Sequence, residues 1–399
     1  MFGCVEMVFR RSFFSSLGCR RGFAHKTPPV CPFFFALVGK LFVTLHLHFL
    51  LKSSSASKYR TMNIKQIISS ALLAAMLLAA WATQAQTMKR PPALRPGDRV
   101  AIISPASSPD KKWTYGGAEV LRSWGLVPVF GKNVLKHNGN FAGTIEQRLA
   151  DLEWAFTADS IKGIMCSRGG YGSIQELLRA DTALFRNNPK WIIGYSDITA
   201  VHGCMNRQGV MSIHAHMLEH LNRSQGADEC DAHLRDILFG KMPTYQLPPN
   251  IYNRHGNAEG RLVGGNLSLL TSISGSPFDL LHPTDSVPLI LFLEDVDENL
   301  EHLNRMFYQI IASGVMKQVK GVILGDFSGY KPTLDFDTVE DMFRSILRDF
   351  DIPVSFQFPC GHTRRNFPMI EGATVRLTVD SSGTTLQFVD DAQASTSCN

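Results

Sequence analysis

The sequence predicts an α/β protein in two parts: an N-terminal domain built on a parallel sheet, then a second, C-terminal α/β domain. Three observations predict it. Short apolar runs alternate with helix-spaced segments from residue 93 onward, the pattern weakens between about 218 and 257 before resuming, and two late strands enclose a turn. Alternation of this kind implies a parallel sheet covered on both faces. With 399 residues, 44% apolar and 19% charged, the chain can supply a core to each part.

Arg99 to Ser104 reads as a buried strand ending in Ser-Pro. Tyr115 to Trp124 has helical spacing, Gly125 breaks it, and Leu126 to Phe130 is a second strand. Thr144 caps a helix running through Ala155, with Leu149, Leu152 and Ala155 on one stripe. Ile161 to Cys166 and Trp191 to Gly194 are further strands, each followed by a helix, from Ser173 and from Ile198. Residues 92–217 thus form the first domain, and 218–257, rich in charges and prolines, a linker with short helical content. The second domain, 258–391, holds strands at Val287 to Leu293 and Val319 to Leu324, and helices at Leu300 to Ile311 and Val339 to Leu347. Its last strands, Thr374 to Val379 and Thr385 to Val389, flank the hairpin signal Asp380-Ser381-Ser382-Gly383. Residues 392–399 read as a disordered tail.

The start of the chain reads differently. Met62-Asn63-Ile64-Lys65 opens a weakly basic segment, Ile67 to Ala82 is apolar or small, and Thr83-Gln84-Ala85 offers a cleavage site. This is the layout of a secretory signal peptide. The apolar run is shorter than the roughly 20 residues a membrane span prefers. The expectation is an exported, periplasmic protein with no membrane contact once mature. Residues 1–61 are then an upstream extension, with Met62 as the natural start.

The formal charge of +5 misleads, because the first 85 residues hold ten of the 40 Lys/Arg and one of the 35 acidic residues. The remainder, with 30 basic and 34 acidic residues, is weakly acidic, which removes the charge argument for a nucleic-acid partner. The five later cysteines, Cys166, Cys204, Cys230, Cys360 and Cys398, are scattered with no CxxC spacing.

Candidate chemistry lies in the loops that follow strands. Gly194-Tyr195-Ser196-Asp197 stands between a strand and a helix. A serine there is presented on a tight turn, and the Asp197 N–H at the helix start can stabilise an oxyanion. The same position suits a simple N-cap serine, and the second glycine of GxSxG is replaced by Ile198. Arg168-Gly169-Gly170-Tyr171-Gly172 can bring backbone N–H groups close to an anion. Leu293-Glu294-Asp295 ends a strand in carboxylates able to orient a histidine. His362 follows a strand-like run beside Gly361, with His202, His214 and His216 as rivals. His214-Ala215-His216 could instead hint at a zinc hydrolase, without an HExxH motif or a carboxylate partner nearby.

Taken in order, these blocks resemble the LD-carboxypeptidase family, which includes murein tetrapeptide carboxypeptidases and microcin-C immunity peptidases. The resemblance covers roughly residues 92–390. It rests on Leu94-Arg95-Pro96-Gly97-Asp98, Ser104-Pro105-Ala106-Ser107-Ser108-Pro109, the Arg168 to Gly172 loop and Gly194 to Ala200. It continues through Gly264-Gly265-Asn266-Leu267, Phe292-Leu293-Glu294-Asp295, Arg305, Gly361-His362, Pro368 and Gly372. It implies a β-rich C-terminal domain with the active site at the domain interface. It implies Ser196 as nucleophile, His362 as general base and Glu294 as the group that orients it. The oxyanion hole would be the N–H of Asp197 with one from Gly169 or Gly170, and Arg168 and Asn266 would contact the peptide. The expected reaction releases terminal D-alanine from a murein tetrapeptide, cutting the bond from an L-centre to D-alanine through an acyl-enzyme, with no metal and no cofactor. Expected partners are peptidoglycan stem peptides, with a homodimer left open. The alternatives are a related amide hydrolase acting on a peptidyl-nucleotide antibiotic, or a non-enzymatic murein-binding relative. Family members are often cytoplasmic, so the export signal of this chain puts its natural substrate in question.

Overall fold

The computed structural model describes residues 88–389 apart from 284. The upstream extension, the signal segment and the tail from 392 lie outside the described residues. Among those described, no helix is long and apolar enough to cross a membrane.

The first part runs β1 (Arg99–Ile103), α1 (Lys111–Ser123), β2 (Val127–Phe130), α2 (Ile145–Thr157), β3 (Ile161–Cys166), α3 (Ser173–Leu177), α4 (Ala183–Asn187), β4 (Trp191–Gly194), α5 (Thr199–Arg207) and β5 (Ser212–His214). Then come α6 (Leu218–Ser224), α7 (Glu229–Leu238) and β6 (Thr244–Leu247). The remainder is β7 (Gly256–Asn266), α8 (Leu267–Ser272), β8 (Leu289–Val296), α9 (Leu300–Ser313), β9 (Val319–Ser328), α10 (Val339–Leu347), β10 (Val354–Ser355), β11 (Met369–Glu371), β12 (Thr374–Asp380) and β13 (Gly383–Phe388).

Two mixed sheets result. The first has the order β11-β5-β4-β3-β1-β2, parallel except for β11, which pairs antiparallel with β5. The second has the order β10-β9-β8-β7-β12-β13-β6, parallel from β10 to β7 and antiparallel from there to β6. The anticipated hairpin is β12–β13, with Asp380 opposite Gly383. The segment read as a linker carries α6, α7 and the edge strand β6.

Period-two burial explains the layering. Val100 and Ile102 of β1 face one core cluster while Ala101 and Ile103 face another. The first cluster is shared: Trp191, Ile193 and Ile213 of the first sheet meet Ile290, Phe292, Val375 and Leu377 of the second. A third cluster packs α8, α9 and α10 on the far face of the second sheet. Helix starts follow local chemistry. Thr144 and Gln147 form a complete capping box at α2. Asp110 caps α1 by accepting from Trp113 N–H, so that helix starts earlier than its apolar spacing implied.

Candidate active site

Ser196, His362 and Glu294 come from three separate segments and meet in one line. The Ser196 Oγ is 3.0 Å from His362 Nε2, and His362 Nδ1 is 2.7 Å from Glu294 Oε2. An ionised carboxylate only accepts, so Nδ1 carries the hydrogen and Nε2 is left to accept from the serine hydroxyl.

Each member has a local reason for its place. Ser196 follows β4 and takes φ of 65°, a left-handed backbone that costs a non-glycine residue about 1–2 kcal/mol. It opens a single 3-10 turn, Ser196–Ile198, and makes no side-chain cap there. The cap reading is therefore not what its hydroxyl does; the hydroxyl is turned to His362. The Asp197 N–H sits in the first turn, where a helical N–H has no acceptor within its own helix. The Asp197 carboxylate accepts from Ser173 N–H at 2.8 Å, and its carbonyl accepts from Ser173 Oγ at 2.8 Å, tying the serine turn to the start of α3. Burial pushes the Asp197 carboxyl up, opposed by those Ser173 hydrogen bonds.

The glycine loop passes directly against the serine. A Cβ on Gly169 would lie 3.0 Å from Ser196 Cβ and 3.2 Å from its Oγ. The loop is held from below by Ser107, whose N–H donates to Gly169 O at 3.2 Å and whose Oγ accepts from Tyr171 N–H at 3.2 Å. The ends of β1, β3 and β4 thus converge at the carboxyl edge of the sheet, where open α/β sheets bind ligands.

Glu294 lies inside β8, because that strand runs through Val296 rather than stopping at Leu293. It is fully buried, and backbone Gly361 crosses directly above it: a Cβ there would lie 2.7 Å from Glu294 Cβ, and φ is 118°. Only glycine lets the His362 loop approach so closely. Burial disfavours the His362 imidazolium, but the hydrogen bond and charge of Glu294, with Asp295 and Asp326 behind it, outweigh burial and raise its pKa above the ordinary value. The Tyr195 ring packs on the imidazole at 4.9 Å between centroids.

Ser196 and His362 line a cavity of about 270 Å³ together with Arg168, Gly169, Gly170, Tyr195, Met217, Glu219, His220 and Arg223. Arg168 Nη1 donates to Ser108 O at 3.4 Å, and Arg223 pairs with Glu219. Burial, helped by His216 and Arg223, pushes His220 down to about 3, so it faces the cavity neutral. Glu219, His220 and Arg223 sit on α6, in the segment whose apolar pattern is weakest. Proximity to a cleft leaves no periodic signal, and sequence reasoning passed over them.

Asn266, which the resemblance puts at the peptide, is 3% exposed, and its amide is engaged by its own neighbours. Its Oδ1 caps α8 by accepting from Leu269 N–H, and its Nδ2 donates to Asp295 Oδ1 at 3.0 Å. The rival histidines are occupied elsewhere. His202 Nε2 lies 3.0 Å from Gly194 O, His214 is packed against Phe292 and Tyr195, and His216 stacks on His220. The His214-x-His216 pair therefore serves different neighbours and does not converge as a chelate.

A buried carboxylate, an imidazole and a hydroxyl in sequence define a hydrolase of the charge-oriented serine class, set on a two-domain α/β frame. Residues 100–215 match the family model for the LD-carboxypeptidase N-terminal domain, and residues 259–377 that for the LD-carboxypeptidase C-terminal domain. The chain belongs to the LD-carboxypeptidase family, and is a serine-type carboxypeptidase. It is 33% identical over 295 residues to a Bacillus subtilis protein named probable murein peptide carboxypeptidase, covering 71% of this chain and 90% of that one. The crystal structure of muramoyltetrapeptide carboxypeptidase from Oxalobacter formigenes superposes with a TM-score of 0.67 at 26% identity, covering 73% of this chain and 99% of that one. The structure of MccF in complex with glutamyl sulfamoyl guanosine gives 0.66 at 25% identity, covering 75% of this chain and 98% of that one.

Proposed function

We propose that this protein releases terminal D-alanine from murein tetrapeptides, using Ser196 as nucleophile, His362 as general base and acid, and Glu294 to orient and stabilise the imidazole. The observation that carries the reading is the Ser196–His362–Glu294 line, with its 3.0 and 2.7 Å contacts. The Ser196 proton passes to Nε2 as Oγ attacks the carbonyl of the L-centre. The resulting oxyanion is held by the N–H of Asp197 and one from Gly169 or Gly170. His362 then gives its proton to the departing D-alanine amine, and water, activated by the same imidazole, clears the acyl-enzyme. Arg168 is assigned the carboxylate of the leaving residue, a reading supported by its lining the cavity with Ser196. The names of the relatives support murein peptide as substrate.

Incubation with purified murein tetrapeptide and mass spectrometry is expected to show loss of one alanine. An unchanged mass across the pH range removes this substrate. A second reading, hydrolysis of a peptidyl-nucleotide, is favoured by the MccF likeness and by Tyr171, an aromatic ring 54% exposed next to the loop glycine Gly170. Cleavage of such a nucleotide with the tetrapeptide untouched would select it.

The reaction is proposed to run outside the cytoplasm, in the periplasm, on the strength of the secretory layout of residues 62–85. N-terminal sequencing of the natural protein is expected to find a mature end shortly after Ala85. A mature protein retaining any residue before Met62 would overturn this.

A further inference from the structure

Behind the cavity residue His220, between the end of β5 and the start of α7, is a second group of donors that the hydrolase reaction does not use. One ligand atom each from His216, Asp228 and Cys230 lie within 4.8 Å of one another. His216 is 2% exposed, and neither of its ring nitrogens has a hydrogen-bond partner. Leaving such a group unpaired in the interior is costly. Asp231 stands beside it, fully buried, with its unpaired Oδ1 3.7 Å from His216 Nδ1 and its Oδ2 accepting from Ser224 Oγ. Cys230 is 2% exposed and receives the backbone N–H of Asn366 at its sulfur.

We infer that His216, Asp228 and Cys230 form a binding site for a divalent transition-metal ion of the zinc type. The donor set is one imidazole nitrogen, one carboxylate oxygen and one thiolate sulfur, a mixture that suits zinc and disfavours magnesium or calcium. Shifts of about an ångström in the three side chains bring their donors to the roughly 2.0–2.3 Å that zinc takes. The Nδ1 edge of His216 faces Asp231, which leaves Nε2 for the metal. A ligating histidine ordinarily gives its second ring N–H to a carboxylate, and Asp231 Oδ1 stands 3.7 Å from Nδ1, within reach of that role after a small shift.

The Asn366 N–H, directed at the Cys230 sulfur, is the donor to a metal-bound sulfur.

The site touches both sides of the cleft. His216 stacks on the cavity residue His220 at 4.3 Å with 5° between ring planes. Asn366 binds the Gly361 N–H through its Oδ1 at 2.9 Å, one residue before His362. An ion here fixes α7 to the His362 loop without entering the reaction.

The test is equilibrium dialysis of the intact protein against Zn²⁺, with Co²⁺ absorption as a second readout. One Zn²⁺ per chain is expected, with a thiolate-to-cobalt charge-transfer band when Co²⁺ replaces it. Cys230→Ser should abolish the band, and Asp231→Asn should weaken zinc binding by about 10–100-fold. Asp228→Asn should weaken it by more, while keeping the oxygen that caps α7, so it reports even where the cysteine variant folds poorly. Ser196→Ala should bind zinc as the parent does. Absence of stoichiometric zinc, bound cobalt without the band, or binding indifferent to the Asp228 and Cys230 variants would each overturn the site. None of these results bears on D-alanine release.

Discussion

Replacing Ser196 with alanine is expected to lower turnover of murein tetrapeptide by about 10⁶-fold, measured as alanine released per unit time, with the circular dichroism spectrum unchanged. The loss is large because in the proposed reaction the hydroxyl is the attacking atom, and it is the partner of His362 at 3.0 Å. Its companion, Ser196→Gly, separates chemistry from stability. Ser196 holds φ of 65°, where a Cβ is strained and glycine is not. Glycine should therefore raise the unfolding free energy by about 1 kcal/mol, read from the urea midpoint, while activity is lost as in the alanine variant. An active alanine variant would move the nucleophile elsewhere. A destabilised glycine variant would mean that the hydroxyl contact outweighs the backbone strain.

Glu294→Gln is expected to reduce kcat by roughly 10⁴-fold and to move the acid limb of the pH profile. His362 must be neutral at Nε2 to accept the serine proton, so the rate falls as pH drops through its pKa. Glu294 holds that pKa above the ordinary histidine value of about 6.5, so the parent's kcat/KM should half-rise above that pH. Without the carboxylate the imidazolium loses its main support inside a buried site, and the midpoint should shift to lower pH. A variant whose midpoint stays put, or moves up, would mean that another group sets it.

What the sequence made legible was whatever leaves a local trace. The apolar run Trp191–Gly194 and the Ser-Asp after it mark the strand and the turn, and Thr144 marks a helix start. The family resemblance brought Glu294 and His362 to Ser196, which spacing alone did not. What stayed illegible depends on distant partners. The apolar run ends at Leu293 and a burst of carboxylates follows, so the sequence ends the strand there, yet β8 continues through Val296 and buries Glu294 and Asp295. The family resemblance alone suggested Asn266 as a peptide contact; that it caps a helix and binds Asp295 left no local trace. His216, Asp228 and Cys230 match no common metal spacing, since they meet only when α7 folds back on the end of β5.

Strand β11 has a consequence for how the protein is made. Its three residues, Met369–Glu371, complete the first sheet beside Ser212–His214, more than 150 positions earlier in the chain. Until they emerge from the ribosome, the N-terminal half carries an open strand edge at β5, next to the very strand that presents Ser196. Such an edge invites pairing with other chains. Synthesis must thus pass β11 before this edge of the first sheet is covered, and a nascent or truncated chain lacking β11 is a candidate client for chaperones rather than a half-sized enzyme.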